Sequence, residues 1–387
     1  MEASELIEII ARDEDSRHQF KANVTNETSV AQEMIAFSNT LGGLLIIGVS
    51  NDGAVTGLTR EDMGRLNNLI SNAASQQVRP PINPVTENIA LTDGLVVVVT
   101  IPQGIARPYM DKNGVIWVKN GADKRKATAR EEIQRMYQSA NLIHGDEIPV
   151  NSMSVTEVDE ARFSAFYETQ YGESFNKEDL SLKQVLQNLN LLKNDVLNIA
   201  GALLFARNPQ LKLPAFIIKC VAFPGNEIDA DRYNDSQDIG GSLEDVFNES
   251  LAFMMRNLRR VQAEGDVNSL GTIEIPKIVL EELLANALIH RDYFVSAPIR
   301  IFIFNDRIEM ISPGHLPNNL TIENIKNGNS NIRNPILASF ATKLLPYRGL
   351  GSGIRRALKA YPAVDFEDDR DGNLFKVIIR REHSSDE

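Results

Sequence analysis

The sequence predicts an α+β protein in three parts, and three stretches carry that reading. LVVVVTI (Leu95–Ile101) is the clearest strand, a short β-branched run bounded by turn residues. IPKIVLEELLANALIHRDYF carries Val279, Leu280, Leu283, Leu284, Ala287 and Leu288 at helical spacing, with Pro276 suited to the first helical position. GLGSGIRRAL sets Gly349, Gly351 and Gly353 at the start of a further helix. We expect a mixed α/β domain over 1–142, a linker and mixed α/β middle region over 143–240, and a further domain of helices and strands over 241–387.

In the first part, Ser29 is the expected N-cap of a helix in which Val30, Met34, Ile35 and Phe37 share a face. Leu41-Gly42-Gly43 ends it, and LLIIGV (Leu44–Val49) follows as a buried strand. Asn51-Asp52-Gly53 signals a hairpin turn. VRPPINPV is a proline-rich connection to the valine strand. GVIWVKNG then adds a strand and AREEIQRMYQSA a closing helix.

IHGDEIPVNSMSVT (Ile143–Thr156) reads as a linker. LKQVLQNLNLL is helical, IAGALLFARNP follows, and LPAFIIKCVAFPG supplies one or two strands within Ala215–Phe223. Ser242 caps a long amphipathic helix. After the IPKIV helix, IRIFIFNDRIEMISPG reads as a hairpin about Asn305-Asp306 that ends in Ser312-Pro313-Gly314. A long, polar, Asn-rich loop containing NIRNPILASF leads to Gly349.

Composition sets limits. With 52 acidic against 40 basic residues and a net charge of −12, the chain does not coat nucleic acid with its whole surface. Any such contact must be local, and KNGADKRKATAREEIQR (Lys119–Arg135) is the candidate patch. Cys220 is the single cysteine, so no internal disulfide or cysteine metal cluster forms. No apolar run approaches the ~18 residues of a membrane span. The acidic start lacks a signal-peptide pattern, so a cytoplasmic location is expected.

The informative constellation is C-terminal. Glu282, Asn286 and His290 recur every four residues and share one helix face. Asn286 lies among Leu, Ala and Ile, and a buried amide left unpaired costs about 1–3 kcal/mol, so it needs a specific partner. Glycines at a helix start let the backbone approach a ligand, and unsatisfied N–H groups there favour phosphate. The order of carboxylate–Asn helix, hairpin, Gly turn, long loop and Gly-rich helix start resembles the GHKL (Bergerat-type) ATPase fold of gyrase, MutL, heat-shock chaperones and histidine kinases. EELLANALIHRDY, NDRIEMISPGHLP, RNP and GSGIRR are similar to the divergent ATPase module of RecG-related proteins and transcriptional regulators, a likeness over 190–370.

That resemblance implies an α/β sandwich over 241–387, with ATP and Mg²⁺ as ligands. Asn286 would hold the Mg²⁺ bridging the phosphates, and Glu282 would orient or deprotonate the attacking water. His290, Ser312, Gly314 and Leu316 would border the nucleotide, Gly349, Gly351 and Gly353 would surround its phosphates, and the loop between would act as a lid. The family places an Asp where this chain has Ser312, which removes a charged acceptor for the adenine amino group. Histidine-kinase action is not expected, because no two-helix dimerisation hairpin precedes this region to present His18 or His144.

DSRHQFKAN and AFSNTLGGLLIIGVSNDGAVTGL resemble the Schlafen/AlbA-like domain, and IWVKNGADKRKATAREEIQRMYQ is similar to that domain's last strand and helix. Schlafen-type members cut RNA with metal-binding carboxylates. Here Glu14 or Asp15 and Asp52 are present, but Gln19 stands where a second Glu is expected, so we expect binding and not cleavage. Lys21, Lys119, Lys124, Arg125, Lys126 and Arg130, with Arg107, would supply phosphate contacts, and Trp117 is a candidate stacking residue. The expected whole is an ATP-binding, nucleic-acid-binding regulator in transcription or defence, with DNA or RNA as partner, self-association into a homo-oligomer and a weak ATPase activity. Two alternatives stand beside it: an ATP-switched Schlafen-like nuclease, and a nucleotide-gated scaffold that recruits a protein partner.

Overall fold

In the computed structural model of the chain, the valine run lies within the strand Gly94–Ile101, at the interior of a four-stranded sheet. The strand order is His18–Lys21, Gly43–Ile47, Gly94–Ile101, Val85–Leu91, with only the first pair parallel. Alternate side chains of the run enter two cores. Val97, Val99 and Ile101 meet the helices Glu27–Asn39 and Arg60–Asn72, while Val96 and Val98 meet Leu6 and Ile10 of the helix Ala3–Ile10. A strand covered on both faces is free to be apolar throughout, which is why it stands out so clearly.

The structure describes residues 1–140, 142–173, 175, 180–229, 231–261, 272–317 and 320–381. The chain divides into two compact units, Met1–Ile143 and His144–Glu387. In the first unit, the helix expected to start at Ser29 starts a turn earlier. Asn26 is the N-cap, its side chain accepting from the N–H groups of Thr28 and Ser29 at 2.9 and 3.2 Å. The Asn51-Asp52-Gly53 turn forms, but the flanking residues pair only through a single Val49–Val55 bridge. Trp117–Asn120 and Asp123–Lys126 make a hairpin, followed by the helix Arg130–Ser139.

The second unit is built on a six-stranded sheet in the order Asp235–Ile239, Ile218–Ala222, Ile299–Ile303, Arg307–Pro313, Leu374–Arg380, Val364–Asp369. Every neighbour is antiparallel except Ile218–Ala222 with Ile299–Ile303. The strand Ile218–Ala222, expected within Ala215–Phe223 of a separate middle region, and Asp235–Ile239, which the sequence reading had not marked as a strand, thus share a sheet with the C-terminal hairpin. Residues 144–156, expected to be a linker, also belong to this unit. Val150 and Met153 are buried in its core, and Asp146 accepts the N–H of Leu337 at 2.9 Å at the start of the helix Pro335–Leu344. The helices Leu243–Arg256, Lys277–His290, Pro335–Leu344 and Gly353–Ala360 contribute apolar residues to the same core as the sheet.

Candidate nucleotide site

The helix Lys277–His290 presents Glu282, Asn286 and His290 to one cavity, as their four-residue spacing requires. The cavity floor comes from the sheet. Met310 and Ser312 point inward from one strand, Val377 and Phe375 oppose them in register, and Phe366 pairs with Val377. Gly314, Leu316, Gly349, Gly351 and Gly353 line the same cavity. All nine residues singled out from the sequence for the nucleotide and its chemistry therefore border a single space.

Within it, Glu282 is 1% exposed, and Gly353 lies directly against its carboxylate. A Cβ at Gly353 would collide with Glu282 Oε2 and stand 3.2 Å from Asn286 Nδ2, so the glycine backbone occupies space that no side chain fits. Asn286 donates from Nδ2 to the Glu282 carbonyl at 2.6 Å, one turn back. The half-buried amide thus has a backbone partner, and among the described residues its Oδ1 accepts no hydrogen bond. His290 is pushed down to about 4 by burial and by the Arg333 guanidinium, so it is neutral at pH 7. Its Nε2 lies 3.3 Å from the Tyr347 hydroxyl. Ser312 Oγ donates to the Ala287 carbonyl at 3.3 Å, leaving its lone pairs available.

Several residues here were not anticipated. Arg333 reaches back from the loop, donating to the carbonyls of His315 at 2.8 Å and His290 at 3.4 Å. Gly314, at φ +97°, admits it: a Cβ there would lie 2.5 Å from Arg333 Nη1. Asn334 is fully buried and donates from Nδ2 to the carbonyls of Ile289 and Arg291 at 2.8 and 2.9 Å. The RNP stretch is therefore the cap that satisfies the last carbonyls of the site helix. Arg356 places Nη2 2.5 Å from Glu282 Oε1. The signal for it was present, since three residues past Gly353 lies on the same helix face. Burial raises the Glu282 carboxyl, against the opposing pull of Arg356 and Arg348.

In the first unit, the basic residues are placed unevenly. Lys119 is buried, donating to Gln19 Oε1 at 2.8 Å and to the Ala122 carbonyl, with Nζ 4.8 Å from the Phe37 ring centre. Lys124 pairs with the buried Glu33 at 2.6 Å, and Arg125 pairs with both oxygens of Glu132. Lys126 and Arg130 are exposed, Lys21 is half-buried, and Arg107 has a partner of its own. Trp117 donates to Asp111 at 3.0 Å and carries the Lys126 ammonium 5.4 Å from its ring. Glu14 accepts from Gln19 Nε2 at 2.5 Å and from the Phe20 N–H at 2.6 Å. Asp15 caps Arg17 and His18, and Asp52 closes its own turn onto Ser50. No group of three His, Cys, Asp or Glu suited to a metal occurs among the described residues.

Residues 14–128 match the family described as "Schlafen, AlbA_2". Residues 296–379 match the family described as "Putative ATP-dependent DNA helicase recG C-terminal". The chain carries a Schlafen/AlbA_2 domain and a RecG-related HATPase-type domain. The RecG-related match takes in the hairpin, the long Asn-rich loop and the glycine helix, and starts after the helix that bears Glu282 and Asn286. Among solved structures, the DIP2311 protein of Corynebacterium diphtheriae is similar at 21% identity, over 98% of this chain and 80% of that one, with a TM-score of 0.47. The N-terminal domain of a "Putative ATP-dependent DNA Helicase RecG-related Protein" from Nitrosomonas europaea is similar at 19% identity, over 34% of this chain and 96% of that one, with a TM-score of 0.25. No curated protein matches the chain. Among the described residues, no helix is long and apolar enough to cross a membrane.

Proposed function

We propose that the chain is an ATP-binding, nucleic-acid-associated regulator whose RecG-related domain holds Mg²⁺–ATP in the cavity beneath Gly353. The observation that carries this reading is the close approach of the Gly353 backbone to both Glu282 and Asn286 over an apolar floor. Such a floor suits a nucleobase, and a glycine backbone beside an amide and a carboxylate suits a phosphate chain with its cation. Asn286 Oδ1, without a donor of its own, fits Mg²⁺, which takes few protein ligands and completes its shell from phosphate and water. Glu282 would orient or deprotonate a water, and weak hydrolysis then accompanies binding. Ser312 offers a neutral acceptor to the base.

The signal leaves through the lid. His144 Nδ1 meets the Arg333 carbonyl at 3.2 Å and Asp146 holds Leu337, so the first residues of the second unit are anchored on the loop that borders the nucleotide. Movement of that loop therefore reaches the connection to the Schlafen/AlbA_2 domain. Titration of Mg²⁺–ATP into the whole chain, with and without DNA or RNA, tests both halves. Nucleotide binding that leaves nucleic-acid affinity unchanged would remove the regulatory half.

A second reading has its own support. Lys119, Lys124 and Arg125 are engaged internally, and the net charge is −12, which favours a nucleotide-gated scaffold for a protein partner over a strong nucleic-acid binder. Molecular mass with and without ATP, and with and without nucleic acid, separates the two. The nuclease alternative is disfavoured because Gln19 ties Glu14 to Lys119, leaving a bridge where a cation would need anionic oxygens.

A further inference from the structure

We propose that Arg356 reads the length of the phosphate chain, exchanging its ion pair with Glu282 for the terminal phosphate of a nucleoside triphosphate. The inference rests on the nucleotide reading given above and adds a specificity residue to it.

Glu282 and Arg356 are close but poorly matched. Arg356 Nη2 stands 2.5 Å from Glu282 Oε1, yet Glu282 Oε1 and Arg356 Nε and Nη2 are all buried without an aligned hydrogen bond. A guanidinium forms its strongest contacts in a two-pronged fork, and this one has not formed a fork with the carboxylate. Its unused donors belong to a residue that lines the cavity. Gly353 lies one turn before Arg356 and touches both Glu282 and Asn286, so a phosphate held at the Gly353 backbone stands beside the ion pair.

A terminal phosphate carries more charge than a carboxylate and presents three oxygens to a guanidinium, so it outcompetes Glu282 for Arg356. The exchange conserves charge at Arg356 and leaves the Glu282 carboxylate without its restraint, beside the terminal phosphate whose attacking water it would orient or deprotonate. A diphosphate ends one group earlier and lacks the competing anion. The other cavity arginines do not fill this role. Arg333 is committed to two backbone carbonyls, and Arg348 is exposed.

The test is calorimetric titration of the whole chain with a non-hydrolysable ATP analogue and with ADP, both with Mg²⁺. Wild type, Arg356→Gln, Glu282→Gln and the double variant are compared. Arg356→Gln should lose about tenfold in analogue affinity while ADP affinity moves by about twofold or less. Glu282→Gln should gain analogue affinity by about threefold or more, because the guanidinium loses its internal competitor, and the double variant should lose that gain. Arg356→Gln leaves a buried carboxylate unpaired and can fail to fold. Arg356→Lys, which keeps the charge and loses the fork, and the neutral double variant then carry the comparison. An analogue-to-ADP ratio that ignores Arg356, or a Glu282→Gln gain that survives in the double variant, overturns the proposal. Wild type that binds neither ligand overturns the nucleotide reading itself, a distinguishable result.

Discussion

Gly353 has no room for a side chain, because a Cβ there would collide with Glu282 Oε2. Gly353→Ala should displace the carboxylate, cost about 1–3 kcal/mol through overpacking, and weaken nucleotide binding by about tenfold or more. Thermal unfolding and nucleotide titration on the same preparation check both effects, and unchanged affinity would place the phosphates elsewhere. At this scale the sequence was generous. Spacing alone aligned Glu282, Asn286 and His290 on one face, and burial alone implied a partner for Asn286. That Arg356 shares a helix face with Gly353 was legible, but its ion pair with Glu282 was not, because pairing across two helices depends on how they pack and leaves no local pattern.

At the scale of elements, the stretch from Arg333 to the Pro335–Leu344 helix joins the site to the rest of its unit. Asn334 serves the last carbonyls of the site helix, so Asn334→Ala should cost about 2 kcal/mol by leaving buried acceptors unpaired, read as a lower urea midpoint. Asp146 holds the N-terminus of the next helix. Burial raises its carboxyl from the ordinary 3.8 to about 6, so the folded chain binds that proton more tightly than the unfolded chain. The contribution is therefore full below about pH 4 and is lost as pH rises to about 6, a change of up to about 3 kcal/mol. Asp146→Asn keeps an acceptor for Leu337 and removes the titration. Relative to wild type it should become more stable between pH 4 and pH 6.5 by urea unfolding, and parallel curves would contradict the assignment. The same residue shows why 143–156 read as a linker. Its partner lies 191 residues away, and short apolar residues such as Val150 and Met153 between polar ones resemble a solvated connection until the core that takes them is known.

At the scale of the molecule, charge decides how the Schlafen/AlbA_2 domain meets a polyanion. The patch at Lys119–Arg135 was legible as composition, but its neutralisation was not. Gln19 lies 100 residues before Lys119, and Glu33 lies 91 before Lys124, so neither partner appears in the local window. With Lys126, Arg130 and the half-buried Lys21 left to meet phosphate, the logarithm of affinity should fall against the logarithm of salt with a shallow slope, about −2 to −3. A slope steeper than about −5 would mean that the internal pairs open on binding. Lys126→Glu should weaken binding without loss of stability, whereas Lys124→Glu should destabilise the fold by abandoning Glu33. The sheets were legible to the extent that their strands were apolar on one or both faces. That a single sheet runs from residue 218 to residue 380 was not, because strand order is set by crossovers that composition does not record.

Whether the cavity under Gly353 holds Mg²⁺–ATP through Asn286 decides the function of the second unit. Calorimetric titration of Mg²⁺–ATP into the whole wild-type chain and into Asn286→Ala measures this directly. Saturable binding in wild type, weakened by about tenfold or more in Asn286→Ala at unchanged thermal stability, is the predicted result. Equal affinity in the two proteins, or no binding in either, would contradict it.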